Sequence, residues 1–209
     1  MNNGKKILIN DRWDVMKDLV AGKSVLDLGC VDHEAEKESG DEWLHRKIKS
    51  AARDLLGIDY QIDAVKSLRE KGYNVEAGNV EALNLGRTFD AITAGNIIEH
   101  VSNPGLFLDS VRRHMRDDSL FLLTTDNCYG LRSLKAILLN DGVIPNNEHV
   151  TTFEEKILRQ FLERHGFDVV GFYFYNGPYA NCWKEKLINF LCRIRKNFAW
   201  QMLVVARKK

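Results

Sequence analysis

Four short stretches of the chain combine a glycine with polar side chains in ways that suit a bound ligand. In Val25-Leu-Asp27-Leu-Gly29-Cys30 an apolar run ends at a small residue, where the backbone can turn tightly and approach a bound group. Asp27 is expected at the strand end, a costly place for a carboxylate unless it has a task; the plain alternative is a simple strand-end turn. In Gly57-Ile-Asp59-Tyr60 an acid closes a second run and is suited to hold both hydroxyls of a ribose, or else is a solvated terminal aspartate. In Gly78-Asn79-Val80-Glu81 a polar side chain and a backbone N–H can read an adenine edge, while Glu81 equally suits the first turn of a helix. The fourth stretch is Ala94-Gly95-Asn96-Ile-Ile-Glu99-His100. Gly95 admits close backbone approach there, and Glu99 and His100 fall where a reactive group and its acceptor should meet. His100 and the later His149 are candidate general bases, because imidazole titrates near neutral pH. A single histidine is commonly structural; two near one cleft point more strongly to chemistry.

Positioning these stretches requires alternating strands and helices. Residues 11–21 read as a helix and Ser24–Leu28 as a buried strand, followed by a polar loop over 31–41. Leu44, Ile48, Ala51 and Leu55 recur at helical spacing and suggest a helix inserted near 42–55, which lengthens the gap between Gly29 and Asp59. Strands are expected at Leu55–Asp59, Tyr73–Ala77, Phe89–Ala94 and Leu120–Thr124, with a helix carrying Ile62, Val65 and Leu68 between the first two. Asn103-Pro104 fits a cap and first helical position, opening a helix that buries Phe107, Leu108, Val111 and Met115. Thr152-Phe-Glu-Glu155 reads as a capping box for a helix ending at Gly166. Phe167–Tyr175 and Met202–Ala206 lack regular alternation after them, which predicts an antiparallel edge. The pattern implies a doubly wound, Rossmann-like α/β sheet with helices on both faces and a ligand beyond the carboxyl ends of its strands.

The 209 residues suit a single domain spanning 1–209, with 44% hydrophobic residues for its core. A net charge of +1 argues against bulk polyanion binding, and no basic groove rich in stacking residues is evident, so nucleic acid is not expected as a partner. No run approaches the roughly 20 apolar residues of a membrane span. The apolar run near the start is followed at once by Asp11, Arg12 and Asp14 and is not expected to be a signal peptide. Cys30, Cys128, Cys182 and Cys192 show no CxxC spacing and read as free thiols, which fits a cytoplasmic protein.

In order and spacing, VLDLGC, GID, GNVEAL and FDAITAGNIIEHVSNPGLFL resemble the class I S-adenosylmethionine-dependent methyltransferases. The ubiquinone-biosynthesis O-methyltransferases and small enzymes of bacterial polysaccharide assembly are the most similar kinds. The resemblance covers residues 11–206 and implies a seven-stranded sheet with an antiparallel last strand, with S-adenosylmethionine lying across the strand ends. It places Asp27, Gly29 and Cys30 beside the methionine part and Asp59 on the ribose with Tyr60 adjacent. Asn79, Val80 and Glu81 would contact the adenine, and Gly95 and Asn96 would lie under the sulfonium. The family's first turn usually carries more glycines; here Gly29 is followed by Cys30-Val-Asp32-His33, where Asp32 or His33 can take a local role. Some related RNA and quinone methyltransferases hold a divalent ion with Glu-x-x-Glu-His and a later histidine. Asn96 replaces the first of those carboxylates, and hard cations favour charged oxygens, so no metal is expected.

The resemblance points to O-methylation of a small-molecule, sugar or lipid-linked acceptor, with acceptor-side segments near 126–150 and 176–199 and an acceptor pocket lined by 126–150 and the aromatic cluster Phe172–Tyr179. Leu187, Leu191, Ile194 and Phe198 form a helical stripe inside the basic stretch Lys184–Lys209. It reads either as a helix packed on the sheet or as a peripheral membrane contact. Two rivals share parts of the pattern. A nucleotide-dependent dehydrogenase would want G-x-G-x-x-G, and a short-chain reductase Tyr-x-x-x-Lys; neither occurs. A non-catalytic Rossmann-like binding protein would tolerate the glycine-poor turn.

Overall fold

The computed structural model describes residues 6–31, 43–139, 147–176 and 183–209. Among the described residues eight strands form one sheet: β1 (Lys6–Leu8), β2 (Ser24–Leu28), β3 (Asp54–Asp59), β4 (Val75–Ala77), β5 (Phe89–Gly95), β6 (Met115–Asp126), β7 (Phe167–Tyr175) and β8 (Gln201–Lys208). The helices are α1 (Trp13–Val20), α2 (Leu44–Ala51), α3 (Ile62–Glu70), α4 (Pro104–Arg113), α5 (Leu131–Leu139), α6 (Glu155–Arg164) and α7 (Trp183–Ile194). The strand order is β1-β7-β8-β6-β5-β2-β3-β4. Order reverses at β2, and open α/β sheets bind ligands at such a switch point, here beyond the carboxyl ends of β2 and β5.

Alternation along each strand divides the core into two layers. Leu26 and Leu28 of β2, Ile92 of β5 and Phe121 of β6 face one way, toward Phe107 and Leu108 of α4 and Leu158 of α6. Val25, Ala91, Leu120 and Leu122 face the other way, toward Met16 and Val20 of α1 and Leu44 and Ile48 of α2. Asp27 lies between Leu26 and Leu28 and therefore falls on the α1/α2 side.

Several expectations are corrected. The sheet has eight strands rather than seven, because the apolar run near the start pairs in parallel with β7. The antiparallel strand is not at the edge: β8 lies between β6 and β7 and runs antiparallel to both. The apolar positions of β8 are buried on both faces, as an inner strand requires. The helix expected near 42–55 is α2, and it ends at Ala51. Among the described residues α2 is the crossover joining β2 to the parallel β3, and Leu55 belongs to that strand. Met115 begins β6 instead of ending α4.

The two helix caps illustrate local control. Asn103 caps α4 as expected, its side chain accepting from Leu106 N at 3.1 Å. For α6 the cap is Glu154 rather than Thr152; the Glu154 carboxylate accepts from Ile157 N at 2.8 Å. Cys30, Cys128 and Cys192 are free thiols, and Cys182 lies outside the described residues. Among the described residues no helix is long and apolar enough to cross a membrane.

Candidate active site

At the end of β5 the chain enters a left-handed conformation at Asn96, with φ of 55°. Asparagine tolerates that region better than most side chains, and neighbours fix it in place. Its backbone N–H donates to Thr124 O at 3.0 Å, and Thr124 Oγ1 donates to Asn96 Oδ1 at 2.9 Å. Arg12, just before α1 and 84 positions away in sequence, reaches the same oxygen at 3.3 Å. The amide Nδ2 then donates to Glu99 Oε1 at 3.2 Å and to Asp126 Oδ1 at 3.3 Å. One amide thus links two carboxyl groups from different strand ends.

Both carboxyl groups are raised from their ordinary values. Burial pushes Glu99 up to about 7, the nearby Asp126 charge adds to the effect, and hydrogen bonds including that from Thr125 oppose it. Asp126 is raised by burial, against the hydrogen bond from Gln201 and the charges of His100 and Arg132.

Glu99 also positions His149. Its carbonyl accepts from Val150 N at 2.9 Å and Thr151 N at 3.3 Å, which ties the 147–151 segment to the turn after β5. His100 and His149 consequently meet edge to face with ring centroids 4.6 Å apart. Ligand-type atoms of Glu99, His100 and His149 all lie within 4.8 Å of one another. Two histidines 49 positions apart in sequence share one site.

The ends of β2 and β3 lie beside that of β5 in the sheet. Gly29 adopts φ of +73°, and a Cβ on it would meet Ile97 Cδ1 at 2.8 Å, so this turn requires glycine twice over. Gly29 N donates to Ile58 O at 2.8 Å. Asp59 is buried; its Oδ2 accepts from Val31 N and its Oδ1 from Gln61 N, each at 3.1 Å. Tyr60 beside it is 71% exposed.

The chain matches the model of the methyltransferase domain over residues 9–171. It belongs to that family, the class I S-adenosylmethionine-dependent methyltransferases. It is 27% identical over 194 residues to the ubiquinone biosynthesis O-methyltransferase of Glaesserella parasuis, covering 80% of this chain and 75% of that protein. It is 26% identical over 152 residues to a protein of Mycolicibacterium smegmatis named a probable S-adenosylmethionine-dependent methyltransferase, with 71% of this chain and 53% of that one aligned. The chain thus spans about half the length of the Mycolicibacterium relative. The solved structure of an S-adenosylmethionine-dependent methyltransferase from Archaeoglobus fulgidus shares the fold, with a TM-score of 0.67 at 17% identity over 94% of this chain and 91% of that one.

The family's cofactor, S-adenosylmethionine, fits the donor set of this methyltransferase domain. Asp59 accepts one backbone N–H on each oxygen, which fixes the carboxylate's orientation at the end of β3. Other residues are already engaged by the protein. Asp27 turns to the α1/α2 side, where its Oδ1 accepts from Thr93 Oγ1 at 2.6 Å and its Oδ2 lies 2.8 Å from His45 Nδ1. Glu81 accepts from Ser102 N at 2.9 Å and Asn103 N at 3.0 Å, bracing the entry to α4. Asn79 Oδ1 accepts from Glu81 N at 2.9 Å, and Val80 is buried.

Three glycines of the methyltransferase motifs are required by close packing. A Cβ on Gly57 would lie 2.7 Å from both Cys30 Sγ and His45 Cε1, and one on Gly95 would lie 2.9 Å from Leu44 Cδ2. On Gly29 it would strike Ile97, as noted above. Trp43 completes the seam by donating its indole N–H to Cys30 O at 2.9 Å. Sequence reading missed Arg12, His45, Thr93 and the Asp126 link, because each acts across at least 18 positions. Asp32, His33 and the aromatic residue Tyr179 lie outside the described residues, as do 140–146 and 177–182 of the expected acceptor segments.

Proposed function

We propose that this domain transfers the methyl group of S-adenosylmethionine to a hydroxyl oxygen of a small-molecule, sugar or lipid-linked acceptor, with the His100–His149 pair receiving the hydroxyl proton. The observation that carries this reading is the meeting of those two imidazoles beyond β5, 4.6 Å between ring centroids, on the buried Glu99. When bound, the sulfonium supplies an already activated methyl group, so the protein's part is alignment and proton removal. Asp59 would fix the ribose, the Gly29 turn would border the methionine part with Cys30, and Gly95 and Asn96 would line the reacting end. Asp27 would act through His45 by stiffening that turn. An imidazole near the acceptor hydroxyl would take its proton as the methyl passes to oxygen and the carbon–sulfur bond breaks, its electron pair staying on the departing thioether sulfur, and Glu99 would hold the pair in place. The ubiquinone biosynthesis O-methyltransferase similarity supports oxygen as the accepting atom.

An acceptor screen with radiolabelled cofactor tests this. Label should enter hydroxyl-bearing acceptors with the parent protein. It should be lost with His100→Ala/His149→Ala while cofactor binding persists. Unchanged turnover in the double variant would sink the assignment.

One observation favours a second, metal-assisted reading, the one used by some RNA and quinone methyltransferases. Glu99, His100 and His149 place one carboxylate and two imidazoles within 4.8 Å of one another, a ligand set that suits a transition ion better than magnesium or calcium. Such an ion would orient and acidify the hydroxyl. Turnover abolished by chelator and restored by zinc or manganese would favour this reading over the imidazole base.

A further inference from the structure

We propose that α7 and the turn behind it dock on an anionic lipid bilayer. The helix buries one side and leaves the other apolar. Ile188 and Cys192 pack into the larger core together with Phe198 of the 3-10 turn Lys196–Phe198. Leu187, Phe190 and Ile194 stand 50%, 57% and 69% exposed. Their spacing of three and four residues sets them in one row along the helix. The stripe read from the sequence is therefore divided: Leu191 and Phe198 are half-buried, whereas Leu187 and Ile194 face out. A helix that only covers a sheet turns polar side chains outward. This one presents a phenyl ring and two branched aliphatic chains.

The charge beside the row is positive. Arg193 and Arg195 are exposed, and residues 183–198 hold Lys184, Lys186, Arg193, Arg195 and Lys196 against Glu185 as their acid. An apolar row flanked by cations lies naturally in a headgroup layer, with apolar chains at the acyl boundary and guanidinium groups among phosphates. A second copy fits less well. A two-fold contact through the row would bring the cationic flanks of both copies together.

The location agrees. The chain leaves the sheet for α7 at Tyr175 and returns at Gln201, and these two residues are paired in register. Gln201 Nε2 donates to Asp126 Oδ1 at 3.2 Å, so the segment is rooted at the strand ends that carry the candidate site. From the same end α5 exposes Leu138 and Leu139, and its Arg132 lies 3.9 Å over the Trp200 ring. A bilayer here would bring a lipid-linked acceptor to the candidate site. That orientation rests on the function proposed above; the docking itself does not.

Sedimentation of the full chain with phosphatidylcholine vesicles, with and without phosphatidylglycerol, tests the surface. The protein should pellet with the anionic vesicles alone, and less as salt rises. Arg193→Gln/Arg195→Gln should lower partitioning about tenfold or more. Leu187→Ser/Phe190→Ser/Ile194→Ser should abolish it. Both variants change exposed positions, so circular dichroism and melting should match the parent. No pelleting with anionic vesicles, or pelleting untouched by either variant, would overturn the proposal. So would a concentration-dependent dimer lost in the triple serine variant, which would assign the row to a second copy. Cofactor binding measured on the same preparation separates failure of docking from failure of the methyl-transfer reading.

Discussion

His45 Nδ1 lies 2.8 Å from Asp27 Oδ2, and both side chains are sealed from solvent between the sheet and α2. The pair joins the strand that starts the cofactor turn to the crossover helix that follows it. Thr93 Oγ1 supplies the other oxygen's partner at 2.6 Å. His45→Ala should therefore cost about 2–4 kcal/mol, because it strands a buried carboxyl group. For a domain of this size the melting temperature should fall by roughly 5–15 °C. Adding Asp27→Asn should recover part of the loss by removing the charge. Chemical denaturation of the two variants checks this, and a His45→Ala protein as stable as its parent would contradict it.

Glu99 links stability to pH. Its folded-state value of about 7 lies above the usual 4.5, so the folded protein holds this proton more tightly than the unfolded chain does. The stabilisation is fully present below about pH 4.5 and is lost as pH rises through 7. The loss across that window should be about 3 kcal/mol from this group, at 1.36 kcal/mol per pH unit. Glu99→Gln keeps the shape without the titration, and its stability should vary less between pH 5 and pH 8 by about that amount. Denaturant midpoints across the range measure the difference; parallel curves would contradict the assignment.

Asn96→Asp should separate the two readings of the histidine cluster. It places a third carboxyl group within reach of Glu99 and Asp126 and restores the acid of the Glu-x-x-Glu-His pattern. If the cluster holds an ion, calorimetry should show zinc or manganese binding strengthened about tenfold or more, since charged oxygens improve the donor set. If the imidazoles act alone, the variant should lose activity without gaining metal affinity, because like charges crowd together beside Glu99.

What the sequence made legible was what local pattern determines. Gly29, Asp59 and Asn96 each end a short apolar run, and the structure sets all three at the carboxyl ends of neighbouring parallel strands. Asn103 as a helix cap was legible for the same reason. The residues that hold the site together were not. Arg12 meets Asn96 across 84 positions, and His45 sits in a helix whose sequence gives no sign that one histidine turns inward to a carboxylate. The misplacement of β8 has a physical lesson. Its residues Met202–Ala206 are apolar without alternation, which is the mark of a strand buried on both faces rather than one at an edge. β1 has three residues, too short a run to show a period.

Cofactor binding tests the central claim most directly. Calorimetric titration of the full chain with S-adenosylmethionine should show saturable binding at one site per chain, and titration with NAD should show none. Asp59→Asn keeps an acceptor for the backbone but loses the charge that holds the ribose hydroxyls, and should weaken S-adenosylmethionine binding about tenfold or more. Binding of NAD instead, or of neither ligand by a folded protein, would contradict the account.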